Sequence, residues 1–389
     1  MSKKSLQELL MRLRHDYRES PGRKARSALL DLWCRASGHE RKYAIKELRG
    51  ARGARPGAPA KPRGGSAKRY GAAETAVVKA LWQLSEQPCG KRLRAVIPLW
   101  LESWERTHGA LEPGVRERVQ RISASQLDRM LAPFKVKGRR RPAPGSDVRS
   151  QVPVRSGPWQ AGGPGWVAVD PVAHCGGNMR GSFAWSVCMT DLHSGWTEVR
   201  ATWNRSDRVV HEALRQCRSA LPFALRGYHS DNGGEVLNSA VIRWLAGLEP
   251  PVEQTRSRPY RKNDNAHAEQ KNLTHIRLLV GWARFAHAEL VPVLDALLSR
   301  WSLWNNLYSP TLKLLSRERH GARIVRRWEP QARTPAQRVL EALPPGDAGR
   351  ERVETLLGRH DPLELKARIE GELRAFFTLL HQMDAAHAT

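Results

Sequence analysis

The sequence predicts a multidomain protein: N-terminal all-α helix-turn-helix modules, then an α/β core, then a small basic C-terminal segment. Three observations lead there. Two basic, Gly/Pro-rich stretches, 49–71 and 137–165, show no apolar periodicity and read as linkers. The segments before and between them repeat apolar residues at helical spacing. From Gly165 onward the chain alternates strand, turn and helix patterns.

Charge separates the parts further. The 389 residues carry 65 Lys and Arg against 38 Asp and Glu, a formal net charge of +27. Residues 1–150 hold 34 basic and 14 acidic side chains, net +20, leaving 31 and 24, net +7, for residues 151–389. Such a basic half is the electrostatic footprint of a phosphate-neutralising, nucleic-acid-binding protein. A hydrophobic share of 40% with 14 Trp excludes wholesale disorder. No stretch approaches the roughly 18 to 20 apolar residues of a membrane span. The start, MSKKSLQELLMRLRHD, has no signal-peptide apolar block, so a soluble cytosolic protein is expected. The five cysteines, Cys34, Cys89, Cys175, Cys188 and Cys217, form no CxxC and support neither a disulfide framework nor a zinc site.

Residues 1–50 are expected to form the first module. KARSALLDLWCRASGHERKYAIKELRG reads as a helix, a break at Ser37-Gly38 and a second helix carrying Arg41, Lys42, Lys46 and Arg49. An αα-hairpin without a DNA role is the alternative. After the linker 51–71, residues 72–136 repeat the theme in amphipathic helices bearing Val77, Val78, Leu81, Trp82, Leu93, Val96, Ile97, Leu99 and Trp100. A capping pattern, Ser123 to Gln126, opens a last helix expected to act as a DNA probe. A second linker spans 137–157.

The core is expected over 158–300. WVAVD is a buried strand, SFAWSVCMTDLHSGWTEVRAT two more joined near His193-Ser194-Gly195, and DRVVHEALRQCRSAL a helix. Then FALRGYHSD is a strand, AVIRWLAGL a helix, PVEQTR a strand and AHAEQKNLTHIRLLVGWARF a long helix. This order makes strands 1 and 4 neighbours with their C-terminal ends together, the edge where α/β sheets place sites. Asp170 ends the first strand, Asp231 the fourth, and Glu269 lies early in the last helix. Two strand-end aspartates and a helix glutamate can converge on hard divalent cations, which prefer oxygen ligands.

WVAVDPVAHCGG, TDLHSGW, YHSDNGGE and TRSRPYRKNDNAHAEQKN together resemble the catalytic core of the DDE transposases and retroviral-type integrases, most closely that of bacterial insertion-sequence transposases. The resemblance covers about residues 158–285 and implies a ribonuclease H-like catalytic core. It makes Asp170, Asp231 and Glu269 the catalytic and metal-binding triad, with two Mg²⁺ per site and Mn²⁺ as a substitute. Thirty-seven residues separate Asp231 from Glu269, slightly more than is common in the family, consistent with a longer loop around Arg258 to Asn263.

Asp264 and Glu235 stand close enough to be rival ligands; a loop cap and a helix start are their ordinary roles. Asp191, beside a turn, reads as a structural hydrogen-bond acceptor. Arg256, Arg258, Arg261, Lys262 and Lys271 crowd the acids and, with Asn272, are candidate DNA contacts, since three carboxylates in one cleft repel phosphate. His174, His229, Asn232 and Asn265 are candidates to order the site from behind.

After the core, 301–345 is a basic segment with a short-strand pattern, IVRRW, and 346–389 a helical tail suited to packing or subunit contact. The expected function is a DNA transposase that binds the terminal inverted repeats of its element and performs strand cleavage and strand transfer. Its partners are double-stranded DNA, at the element ends and the target, and a second copy in a homodimer or higher oligomer, with no membrane. The expected location is the bacterial cytoplasm, at the nucleoid. The alternatives are a catalytically silent sequence-specific repressor and a metal-dependent nuclease without joining activity.

Overall fold

The computed structural model describes residues 3–49, 70–134, 162–231, 233–257, 270–320 and 323–388. Residues 50–69 and 135–161, which hold most of both basic linkers, and Asn232, Arg258, Arg261, Lys262, Asp264, Asn265 and Glu269 lie outside them. The chain divides into two compact units, residues 1–69 with 312–330 and residues 70–311 with 331–389.

The first unit contains helices α1 (Lys3–Glu19), α2 (Arg23–Ser37) and α3 (Arg41–Arg49). Leu13, Tyr17, Leu30, Trp33, Cys34, Ala44 and Leu48 form its core. α2 stops because Gly38 takes a left-handed conformation, φ 71°, and returns its N–H to the Cys34 carbonyl. The expected break at Ser37-Gly38 is therefore present, and α1 adds a third helix for the pair to pack on. The Trp33 indole donates to Glu47 at 2.9 Å, locking α2 to α3. The IVRRW pattern lies in one strand of an antiparallel ribbon, Leu314–His320 against Arg323–Trp328.

The second unit begins with α4 (Ala72–Leu84), α5 (Gly90–His108), α6 (Pro113–Arg121) and α7 (Ala124–Leu131). Ser123 caps α7 by accepting from the Gln126 N–H at 3.2 Å. Strands β1 (Trp166–Ala173), β2 (Trp185–Asp191) and β3 (Thr197–Thr202) follow. Next come α8 (Asp207–Ala220), β4 (Gly227–Ser230), α9 (Ser239–Ala246) and β5 (Glu253–Arg256). The sheet order is β3-β2-β1-β4-β5. β2 is antiparallel to β1 and β3, while β1, β4 and β5 are parallel. The predicted neighbours, strands 1 and 4, thus pair in the predicted direction. β2 is buried along its whole length, as a strand covered on both faces must be. At the base of β4 a side chain is excluded: a Cβ on Gly227 would stand 2.1 Å from the Trp166 ring.

The helix after β5, α10, is described from Gln270 and contains a π-helical turn, Asn272–Arg277, continuing into Leu278–Val280. It ends at Gly281, φ 75°, sooner than the apolar pattern predicts. α11 (Leu290–Tyr308), α12 (Pro335–Ala342), α13 (Ala348–Arg359) and α14 (Pro362–Ala388) complete the unit. One apolar core runs from α4 and α5 through the sheet to α11 and α14, joining Trp100, Val169, Trp304 and Phe376. Trp100 meets Trp304 edge to face at 5.6 Å, and its indole N–H donates to the Tyr308 carbonyl at 3.3 Å. No helix among the described residues is long and apolar enough to cross a membrane.

Candidate active site at the carboxyl edge of the sheet

Register brings the two aspartates together. Val169 of β1 pairs with Ser230 of β4, so Asp170 and Asp231, the next residue in each case, stand level. Asp231 follows the end of β4, but β1 does not end at Asp170 as the sequence suggested: its pairing with β2 carries it on to Ala173, so Asp170 lies within the strand where its parallel neighbour stops. Parallel neighbours lie about 4.8 Å apart, close enough for both carboxylates to reach one cation. Ser230 pairs in turn with Arg256, which places that guanidinium-bearing residue at the same edge of β5.

Each carboxylate has a local partner. The Asn272 side-chain amide donates to Asp170, tying α10 to β1. Asp231 Oδ1 accepts from the Gly233 N–H at 2.9 Å in an Asx turn, which folds the chain back at the strand end. Among the described residues no group of three His, Cys, Asp or Glu side chains could hold a metal ion; two acids meet here, and Glu269 lies outside the described residues.

The other candidates sort by surroundings. Lys271 is half-buried, and burial chiefly pulls its ammonium down to about 8, with Arg338 and Arg92 adding to the effect against a Cys188 contribution that opposes it. Cys188 lies opposite Asp170 on β2, its thiol pushed up to about 12 by burial. His174 is fully buried, hydrogen-bonded through Nε2 to Ser186 Oγ at 2.7 Å and stacked on Phe285. Burial and then Arg277 hold its imidazole down to about 3, so it is neutral. His229, also fully buried, bridges Thr255 Oγ1 at 3.0 Å and Ser257 Oγ at 3.1 Å, stitching β4 to β5 behind Asp231.

Asp191 accepts from the Ser194 N–H at 2.7 Å, the Ser194 hydroxyl at 2.6 Å and the Gly165 N–H at 2.8 Å. It closes the β2–β3 turn as a buried acceptor. Glu235 faces Arg205 at 4.0 Å. In the first unit Arg41 is paired with Asp31 and donates to Ser27 Oγ at 2.6 Å, whereas Lys42 and Lys46 are exposed on α3.

Sequence reasoning did not identify Arg277, which donates to the Ala173 carbonyl at 2.7 Å and so fixes α10 along the end of β1. Nor did it pair Asn272 with Asp170. Neither contact has a local signature, because both partners lie about a hundred positions apart in sequence.

No family model matches the chain. Among solved structures, the catalytic core domain of BIV integrase is similar at 14% identity and a TM-score of 0.29, over 46% of this chain and 94% of that one. Among curated proteins, "Uncharacterized protein y4rM" of Sinorhizobium fredii (strain NBRC 101917 / NGR234) is 38% identical over 330 residues, spanning 83% of this chain and 92% of that protein. The chain belongs to the family of that Sinorhizobium fredii protein.

Proposed function

We propose that this chain is a polynucleotidyl transferase of the DNA transposase type, with Asp170, Asp231 and Glu269 as its acidic triad. The carrying observation is the level placement of Asp170 and Asp231 on adjacent parallel strands, sixty-one positions apart in sequence. The sheet order, with three antiparallel strands followed by two parallel ones, supports the ribonuclease H-like arrangement that the sequence resemblance implies.

The donor set fits a hard divalent cation: two carboxylates at one edge, with the neighbouring imidazoles of His174 and His229 turned to hydroxyls. Asp170, Asp231 and Glu269 would hold Mg²⁺, or Mn²⁺ in its place. When bound, a metal pair supplies Lewis acidity to an in-line displacement at phosphorus. The chain's own residues do the rest. Asn272 orients Asp170, and the Asx turn at Gly233 orients Asp231. Arg256, at the same edge of β5, would offset the repulsion between clustered carboxylates and a phosphodiester, whereas the Lys271 ammonium lies toward the Gly195 turn. Water would attack a phosphodiester and free a 3′-hydroxyl, leaving a 5′-phosphate; that hydroxyl would then attack a target phosphodiester, bonding to its phosphorus as the target strand's 3′-oxygen leaves and takes up a proton. Lys42 and Lys46 on α3, with α4–α7, would hold the terminal repeats, and two copies would pair the ends.

The test is strand cleavage and joining of a labelled terminal repeat with Mg²⁺, comparing the native chain with Asp231→Asn. The expected result is joined product from the native chain and a loss of about a hundredfold or more in the variant. Binding without cleavage would favour a repressor, cleavage without joining a nuclease, and an unimpaired variant would refute the triad.

A further inference from the structure

Beyond the acids, the same sheet edge carries an aromatic group with no role so far. α10 follows the end of β1: Asn272 bonds Asp170, Arg277 bonds the Ala173 carbonyl, and Trp282 comes immediately after the helix-ending Gly281. Trp282 is 64% exposed, the second most exposed large hydrophobic side chain among the described residues. The Arg277 guanidinium lies over its ring, 4.5 Å from the centroid. One face of the indole is thus covered by a cation that is itself anchored to β1, and an indole so exposed offers its other face to solvent.

The charge around it selects the partner. Residues 171–190 and 270–288 contain no Asp or Glu, yet they carry Arg180, Lys271, Arg277 and Arg284. Arg284 donates to the carbonyls of Asn178 and Arg180, both at 2.7 Å, which holds the loop after β1 beside the Trp282 segment. An indole backed by a guanidinium, on segments whose own charges are all cationic and beside which the Asp384 carboxylate is taken up by His287, matches a nucleic-acid base followed by phosphate: the ring stacks on the base while guanidinium groups meet the backbone. A protein interface would not require the cations.

We propose that Trp282, backed by Arg277, is a stacking platform for an unpaired base of the DNA strand whose phosphodiester lies at Asp170 and Asp231. This rests on the DNA-processing reading above and adds a contact that reads strand opening at the site. Internal pairs keep both faces stacked, and the terminal pair of a blunt end exposes only an outer face whose bases are held in the pair, whereas an unpaired base can swing onto the ring, so the platform favours frayed or overhanging ends over blunt ones.

The test uses the full chain and two fluorescein-labelled duplexes, one blunt and one with a short single-stranded overhang containing 2-aminopurine. The native chain should prefer the overhang duplex and change the 2-aminopurine emission on binding. Trp282→Ala should lose about 10- to 100-fold in affinity for the overhang duplex and lose the emission change, with blunt-duplex binding unchanged. Trp282→Phe should restore most of both. Full overhang preference in Trp282→Ala would overturn the platform while leaving the DNA reading standing. A shift of that variant to a smaller oligomer in sedimentation, with overhang preference intact, would overturn it in favour of a subunit contact. Failure of the native chain to bind either duplex would overturn both readings.

Discussion

The side-chain amide of Asn272 donates a hydrogen bond to the Asp170 carboxylate, joining the π-helical turn of α10 to the centre of β1. A hydrogen bond to a charged group is worth about 1.5–3 kcal/mol. Asn272→Ala should therefore reduce DNA cleavage about 10- to 100-fold, and Asn272→Asp should reduce it further by setting a like charge against Asp170. Single-turnover cleavage together with a urea melt separates the outcomes. Equal activity in a folded Asn272→Ala would make the contact incidental to catalysis.

Charge on α3 is divided between structure and solvent. Arg41 is spent on Asp31 and Ser27, whereas Lys42 and Lys46 are exposed. If α3 contacts DNA phosphates, Lys42→Ala and Lys46→Ala should each lower the slope of log affinity against log salt by about 0.9. Arg41→Ala should leave that slope nearly unchanged and lower the melting point of the α1–α3 bundle instead. Titrations at three or more salt concentrations measure this, and a reversed ranking would refute the assignment.

The order of core elements was readable because alternating strand and helix patterns are local, and the strand ending just before Asp231 carries that residue to a known edge; the end of β1 was not readable, because its pairing with β2 extends it past Asp170 to Ala173. The direction of the β1–β4 pairing followed from that order. What could not be read was the choice of partners. Arg41 and Lys42 are adjacent basic residues on a basic helix, yet only Arg41 is within reach of Asp31. His174 and His229 each neighbour an aspartate in sequence, but their rings bond Ser186 and Thr255, set by packing across the sheet. The Asn272–Arg277 π turn, whose end residues bond Asp170 and the Ala173 carbonyl, likewise has no signature in its local sequence.

Continuity of the core makes a further expectation. Trp100 on α5 is fully buried against Trp304 of α11, within the same cluster as the sheet. Trp100→Ala should cost about 3–5 kcal/mol and lower the unfolding free energy of the β1–β3 amides by the same amount, because α4–α7 and the sheet unfold together. Native-state hydrogen exchange reads this directly. Unchanged protection of the sheet amides would mean that α4–α7 unfold independently.

His174 gives stability a pH dependence of known sign. In the unfolded chain its imidazole takes up a proton near pH 6.5, whereas burial, reinforced by Arg277, holds the folded value down to about 3. Between these two values the unfolded state binds the extra proton, so acid favours unfolding. The stabilisation present above pH 6.5 falls by up to about 1.4 kcal/mol for each unit of pH and is fully lost near pH 3. His275, held well below its ordinary value mainly by burial, acts in the same direction. Urea melts between pH 7.5 and pH 4 should show His174→Gln with a lower stability at neutral pH, having lost the stack on Phe285, but a shallower decline by up to one proton. An identical decline in the variant would mean that His174 is not buried neutral against Ser186 and Phe285.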